Sequence, residues 1–403
     1  MRIFYFGSIC DTEHFNLNQK SSKKKASESA QNFEAALLEG LTQLDSTFVD
    51  VFAAESIAMF PKSKRIFLRK RIDLMDGYSI KVLPSINIPI VKQIIHGINA
   101  KKELKKWIKN NKNCNEKCVL VYGIYPYVCR NLIKVCKNNN IKIISIMTDV
   151  PVTMYTYTKS TRNIFSFLKT INKKNAINIQ DKFDGYIYLT KEMSKIIAPN
   201  KPYIVVETIA QTDIFDNIKK YQKKKAIMYA GALYKKYGVD KIIDVFQKMN
   251  LNEYELWLFG NGDMENYILD KAKNDKKIKY FGRVTRDIVL KKELEASILI
   301  NLRDPKEEYT KYSFPSKMIE YMLSGTPVVT TKIECLSEEY LKNVYTIDFQ
   351  DTEIMSLKLL DIIKDPKLNK IGENARNFVI EEKNSKKQAI KIKKFLTSFF
   401  NTN

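Results

Sequence analysis

The chain is short of the residues that several kinds of chemistry require. It has two histidines, His14 and His96, so histidine-built metal centres and Ser-His-Asp arrangements are poorly supplied. Its six cysteines include no C-x-x-C pair. Cys114 and Cys118, in NCNEKC, have no histidine nearby and read as reduced thiols rather than zinc ligands. Thirteen glycines and 11 prolines are too few for a collagen-like or linker-dominated chain. No apolar run approaches the roughly 18 residues of a membrane-spanning helix. The opening MRIFYFGSIC turns polar too soon for a signal peptide and reads as a first strand. Low-complexity tracts and short solenoid repeats are also missing.

What is present is a large apolar fraction, 44% of 403 residues, enough to bury sizeable cores. At about 150 residues per domain the length suggests two domains. The net charge is +23 and it is uneven. Residues 1–207 hold 33 Lys/Arg against 17 Asp/Glu, and the remainder 35 against 28. Two stretches concentrate the cations. KSKRIFLRKR (62–71) interleaves them with Ile66, Phe67 and Leu68; VKQIIHGINAKKELKKWIKN (91–110) places Ile94, Ile95, Ile98, Leu104, Trp107 and Ile108 at near-helical spacing. Such segments suit an anionic membrane surface, a phosphate-rich ligand or a nucleic acid, and also an ordinary solvated helix face.

Short apolar runs alternate with longer amphipathic stretches. Strands are expected at 2–8, 48–54, 119–124, 142–148 and 185–190, with helices at 26–44, 98–110, 126–139 and 191–197. The second half repeats the rhythm. Its strands are expected at 226–231, 254–260, 277–282, 296–302, 326–331 and 344–348, with helices near 238–250, 263–274, 286–294, 315–324, 352–363 and 367–396. This alternation indicates parallel sheets covered on both faces, an α/β fold of two Rossmann-like domains. Ligands then bind at the carboxyl ends of strands, in a cleft that the two domains face. Pro199, Pro202 and YQKKK (221–225) mark the boundary region, giving domains 1–207 and 208–385 and a C-terminal helix, 386–403, that is expected to pack back on the first domain.

The chemistry concentrates in the second half. After the strand AIMYAG, Gly231 permits close approach of backbone to a ligand, and Lys235 and Lys236 follow in the loop before Gly238. Such a loop can hold a diphosphate. Gly260 and Gly262 close the next strand, and Gly282-Arg283 the one after. The sharpest string is YSFPSKMIEYMLSGTPVV (312–329). Pro315 suits a first helical turn. Ser316 and Lys317 would face a phosphate, and Glu320, one turn in, can accept hydrogen bonds from ribose hydroxyls.

The run from YAGAL through FPSK..EY...G.PVV resembles the family-4 retaining glycosyltransferases, which have the GT-B fold. The likeness covers residues 226–385 in order; VVETIAQTDIF (205–215) resembles their interdomain linker, and the opening with KKKASESAQNFEAALLEGL (23–41) their acceptor-side loop in bacterial cell-surface polysaccharide members. The resemblance implies a nucleotide-sugar donor, UDP-linked by family habit, held by the second domain, an acceptor on the first, and no metal or other cofactor. The chain has no Asp-x-Asp of the kind that metal-dependent GT-A enzymes use.

Three positions depart from the family. Glu320 matches the second acid of Glu-x7-Glu, but the first position is Tyr312, so contact with the donor sugar falls to Tyr312, Ser313 or backbone beside Phe314 and Pro315. The family's Arg and Lys around the loop glycines are Ala232 and Tyr237 here, which moves the diphosphate role to Lys235 or Lys236. The family's histidine on the first domain is missing, and Asp149 in MTDVP is the candidate at the equivalent strand end. The expectation is therefore a hexosyltransferase that builds capsule, exopolysaccharide or another surface polysaccharide. It is expected to act on a lipid-linked saccharide, as a cytoplasmic protein held at the inner face of the plasma membrane by its basic first domain. Asp149, Lys235 and Lys317 are the catalytic candidates. A GT-B-like assembly partner without catalysis, and a basic nucleic-acid-binding protein, are the alternatives; no nucleic-acid motif supports the second.

Overall fold

Near-continuous apolar runs such as RIFYFG and KCVLVY lack the alternation of a half-exposed strand, and they become strands buried on both faces. The computed structural model describes residues 1–23, 26–150, 174–216 and 221–401. It divides into two units, Met1–Ile209 with Ser385–Asn403, and Ala210–Asn384.

The first unit holds an eight-stranded sheet in the order β10-β9-β8-β7-β1-β2-β5-β4. The strands are β1 (Arg2–Gly7), β2 (Phe48–Ala54), β4 (Arg71–Met75), β5 (Tyr78–Leu83), β7 (Lys117–Tyr122), β8 (Lys142–Met147), β9 (Gly185–Tyr188) and β10 (Tyr203–Val205). A short antiparallel ribbon, β3 (Phe67–Leu68) with β6 (Ser85–Ile86), stands beside it. All large-sheet pairings are parallel except β4 with β5. One face is covered by helix Glu28–Thr42, whose Leu37 and Leu41 pack with Ile3 and Tyr5 in one core. Ser27 caps this helix by accepting from the Ala30 amide. The C-terminal helix Ser385–Ser398 packs against it. A Cβ at Gly40 would fall 2.1 Å from the Ser385 carbonyl oxygen, so only glycine permits that approach. On the other face Phe4 stacks on Phe52 at 4.4 Å, and Trp107 of helix Val91–Asn110 meets Phe4 edge-on at 5.7 Å.

The second unit holds six parallel strands in the order β13-β12-β11-β14-β15-β16. They are β11 (Lys224–Ala230), β12 (Glu255–Phe259), β13 (Ile278–Gly282), β14 (Ala296–Asn301), β15 (Val328–Thr331) and β16 (Tyr345–Ile347). Helix Val239–Met249 buries Ile242, Ile243, Phe246 and Met249 against β11, β12 and β14. The chain turns back on itself between β11 and β14, which makes their carboxyl ends the natural ligand crevice of this unit. In the first unit the same reversal falls between β1 and β7.

Several elements differ from the sequence expectation, which also lacks the β3–β6 ribbon, β10 and helix Glu338–Leu341. The helix expected over 98–110 begins at Val91, and its start carries no side-chain cap to announce it. Helix Thr12–Ser21 and the β4–β5 hairpin were not expected; the hairpin turns at Asp76-Gly77, with Gly77 at φ 81°. The helix expected over 367–396 is two, Leu368–Glu382 and Ser385–Ser398. They break at Lys383, whose buried ammonium donates to Glu339 at 2.6 Å and lies over the Tyr340 ring. Among the described residues no helix is long and apolar enough to cross a membrane.

Candidate active site

In the second unit the loops that follow β11, β12 and β13 are laced together by backbone. The Gly231 amide donates to Phe259 O at 3.0 Å, Leu233 N to Asn261 O at 3.0 Å, and Gly260 N to Gly282 O at 2.8 Å. A Cβ at Gly260 would fall 1.8 Å from Gly231 O, and Gly260 sits at φ 125°; both facts restrict the position to glycine. Gly238, at φ 74°, is pressed equally hard against Leu302 O, and this brings the end of β14 to the start of helix Val239–Met249.

Lys235 and Lys236 occupy a 3-10 turn, Lys235–Tyr237, in this lacework. Lys235 is largely exposed, 3.9 Å from Asp240. The Lys236 ammonium lies over the rings of Tyr237 and Tyr309 at 5.0 and 5.8 Å, and the Arg303 guanidinium covers the same two rings at 5.1 and 5.9 Å. Tyr309 donates its hydroxyl proton to Lys236 O. Arg303 also donates to Ser313 O at 3.2 Å, while its Nε is buried without a hydrogen-bond partner among the described residues. Two cations are thus held on tyrosine faces at the carboxyl ends of β11 and β14.

Helix Lys317–Leu323 is locked beside the end of β11, because the Tyr321 hydroxyl accepts from Ala230 N at 2.7 Å and donates to Ala230 O at 3.0 Å. The sequence assigns Lys317 and Glu320 separate tasks; the structure pairs them. Lys317 Nζ donates to Glu320 Oε1, and Arg286 Nη2 meets Glu320 Oε2 at 3.3 Å. Glu320 is desolvated, yet the two cations hold its carboxyl below the usual range. Behind it lies Glu293, fully buried. Burial and the charge of Glu320 push its pKa well above the usual carboxylate range. Among the described residues neither Glu293 oxygen has a donor at hydrogen-bond distance, although its carboxyl is near enough for Glu320 to act on it.

The remaining expected residues are dispersed along this edge. Tyr312 and Ser313 are half-buried before the helix, and Ser316 is exposed at its start. Phe314 and Pro315 are buried; the Phe314 ring packs on Tyr340 at 5.2 Å, a core position that does not present the ring to a ligand. Arg283 is exposed in the turn after β13. Arg286, Glu293 and Arg303 were missed by the sequence reading. A cation directly after an apolar strand end, as in ILINLR, is the one signal that marks Arg303.

In the first unit Asp149 follows the carboxyl end of β8. Its residue is exposed, yet protein crowds its carboxyl, and this desolvation raises the pKa to about 6. At the β1–β7 reversal lies a residue that the sequence did not single out. Glu34 is fully buried and accepts from the Tyr5 hydroxyl at 2.8 Å, Ser8 N at 3.0 Å and Ser8 Oγ at 2.7 Å. Burial raises its pKa to about 7 against the pull of those bonds. A Cβ at Gly7 would fall 1.8 Å from Glu34 Oε2, so the glycine makes room for the acid. Asp11, His14 and Asp73 also cluster here, but Arg71 already serves Asp73 through Nε at 2.7 Å.

These features define an α/β protein with a cation-lined crevice at the carboxyl edge of its second sheet. Residues 210–378, which span most of the second unit, match the family model described as Glycosyl transferases group 1. No curated protein sequence matches the chain. Among solved structures, a sucrose-phosphate synthase from Thermosynechococcus elongatus is 12% identical, with 100% of each chain covered and a TM-score of 0.62. The lipopolysaccharide outer core galactosyltransferase WaaB, in its apo form, is 13% identical over 99% of this chain and 100% of that one, with a TM-score of 0.62. A UDP-forming α,α-trehalose-phosphate synthase from Burkholderia xenovorans, in complex with glucose-6-phosphate, is 9% identical over 98% and 99%, with a TM-score of 0.60. These likenesses show the fold: the chain has the GT-B fold.

Proposed function

We propose that the protein is a retaining glycosyltransferase that moves a hexose from a nucleotide sugar to a saccharide acceptor. The observation that carries this reading is the Lys317–Glu320–Arg286 cluster beside the end of β11, within the residues that match the group 1 glycosyl transferase model. Glu320 takes the ribose hydroxyls, as a carboxylate held ionised by two cations can. Lys317, Lys235 and Lys236, with backbone near Gly231 and Ser316, stabilise the leaving diphosphate, the largest electrostatic demand of the step. Arg303 adds to that charge. Gly260, Arg283, Tyr312 and Ser313 belong to the donor side.

In the step itself the bond from the anomeric carbon to the diphosphate oxygen breaks, and its electron pair leaves with the diphosphate. The acceptor hydroxyl oxygen bonds to that carbon on the same face, and its proton passes to a departing phosphate oxygen. Asp149 orients the acceptor. No metal enters this scheme; the cations of the chain supply the charge. The UDP-forming synthase of the same fold favours a uridine nucleotide, and the galactosyltransferase of the same fold favours a growing surface saccharide as acceptor. We take that acceptor to be lipid-linked and presented at an anionic membrane, which suits the net charge of +23.

Incubation with a panel of nucleotide sugars and short acceptors, read by NMR for the anomeric configuration of the product, tests this reading. Transfer with retention supports it. Transfer with inversion removes the mechanism, and no turnover of any donor removes the activity.

A further inference from the structure

The face of the first sheet that carries helix Val91–Asn110 is not fully covered. β4 is the edge strand, and its register places Ile72 opposite Lys81 and Leu74 opposite Ser79. Directly opposed residues of an antiparallel pair share a face. Lys81 lies over the Phe52 ring at 5.1 Å, and Phe52 stacks on Phe4 beneath Trp107, so this is the helix-bearing face. The helix stops short of the edge. Ile72 is 60% exposed and Leu74 76% exposed, while Asp73 between them points to the other face and is buried. Phe67, just upstream on the β3–β6 ribbon, is 74% exposed.

Between the helix and this apolar edge is a cavity of about 320 Å³. Four cations line it, Arg2, Lys70, Lys81 and Lys106, with Asp50 and Glu103 as its acids. Asp50 is engaged inside the wall, accepting from Trp107 Nε1 at 2.8 Å. Lys102, Lys105 and Lys109 are exposed along the same helix, and Arg69 beside Lys70. A basic cavity bordered by large exposed apolar side chains is a poor arrangement for water alone. The apolar edge loses by exposure, and four cations face two acids, one of them Asp50, which Arg2 already meets at 3.9 Å, so positive charge remains in excess.

We propose that this face docks on an anionic phospholipid surface, with lipid phosphates entering the cavity between Lys70, Lys81 and Lys106 while Ile72, Leu74 and Phe67 enter the interfacial layer. Each exposed cation near such a surface attracts it, and each apolar side chain adds area that a soluble anion or a nucleic acid has no means to cover. The inference deepens the membrane part of the function proposed above and is independent of the donor site, since every residue named here lies in the first unit.

The test is co-sedimentation of the full chain with vesicles of phosphatidylcholine alone and with 30% phosphatidylglycerol, a composition set by the experimenter. Two double variants are compared with the parent, Lys70→Glu with Lys106→Glu and Ile72→Ser with Leu74→Ser. Lys273→Glu with Lys276→Glu, exposed in the second unit, is the charge-matched control. Circular dichroism establishes that each folds. The expected result is binding to the anionic vesicles only. The Lys70/Lys106 pair should lose at least about 25-fold in partition, since removal of each lysine charge alone costs near fivefold and reversal costs more, the apolar pair should lose at least tenfold, and the control pair less than threefold. Equal loss in the control pair, no loss in the apolar pair, competition by free glycerol phosphate, or a switch from monomer to dimer through β4 would each overturn the proposal. Transfer to a soluble acceptor, measured without vesicles, should be unchanged in all variants, so failure of the activity and failure of the docking face read out separately.

Discussion

Replacing Glu293 by glutamine removes one titrating proton from the crevice while keeping its shape. In the unfolded chain a glutamate titrates near the ordinary value of about 4.3. In the folded second unit, burial and the neighbouring Glu320 charge hold the proton well above that. Below the ordinary value both states are protonated, and the parent suffers no penalty. Above it the unfolded state ionises freely and the folded state does not, so the parent loses stability as pH rises toward the folded-state pKa. One proton sets the slope at no more than about 1.4 kcal/mol per pH unit. Glu320 has the opposite sign, its lowered pKa adding stability that is lost only in acid, and it is common to both proteins. The advantage of Glu293→Gln over the parent should therefore be smallest in acid and should grow as pH rises above the ordinary glutamate value, at no more than that slope. The chain has two tryptophans, and Trp257 lies in the second unit. Urea unfolding in a Trp107→Phe background, followed by Trp257 fluorescence, reads that unit directly. Parallel stability profiles for the two proteins from acid to neutral pH would refute a raised pKa for the buried acid behind Glu320.

Three other perturbations follow from the same geometry. Lys317→Ala leaves Glu320 with Arg286 alone and takes one charge from the diphosphate; nucleoside diphosphate affinity should fall at least about tenfold by calorimetry, a single charge-assisted contact being worth about 1.5–3 kcal/mol. Gly260→Ala forces a Cβ against Gly231 O at a left-handed φ, and a thermal melt should show a loss of at least about 2 kcal/mol. Asp149→Asn should abolish the rise in transfer rate through pH 6 that ionisation of the parent carboxyl produces, as measured by a pH–rate profile.

Most strands of both sheets were legible because parallel strands covered on both faces are written as unbroken apolar runs, as in VLVY, IISIM and ILIN. The β4–β5 hairpin was not, since RIDLM at a sheet edge alternates apolar with charged residues and merges into the basic run before it. Helix Thr12–Ser21 hid for a related reason: it buries only Phe15 and Asn18, so it shows little apolar periodicity. At the site, Lys317 and Glu320 could be named because they share one short helix. Their ion pairing could not, nor could Arg286, which comes from 34 positions away, or Glu293, which looks like any surface acid in KKELEA. Glu34 escaped notice for the same reason: only the register of helix Glu28–Thr42 on β1 turns it inward. Asp149 was legible as a strand-end acid, but its raised pKa comes from packing that sequence does not express.

The central claim is that the crevice at the end of β11 grips a nucleoside diphosphate that carries a sugar. Thermal unfolding of the parent and of Glu320→Ala, against uridine, guanosine, adenosine and cytidine diphosphates at a millimolar concentration, tests it most directly. The account predicts that at least one of them, uridine diphosphate first, raises the parent's melting temperature by the amount that mass action sets, while Glu320→Ala stays unmoved. No shift with any of the four, or an equal shift in both proteins, would contradict it.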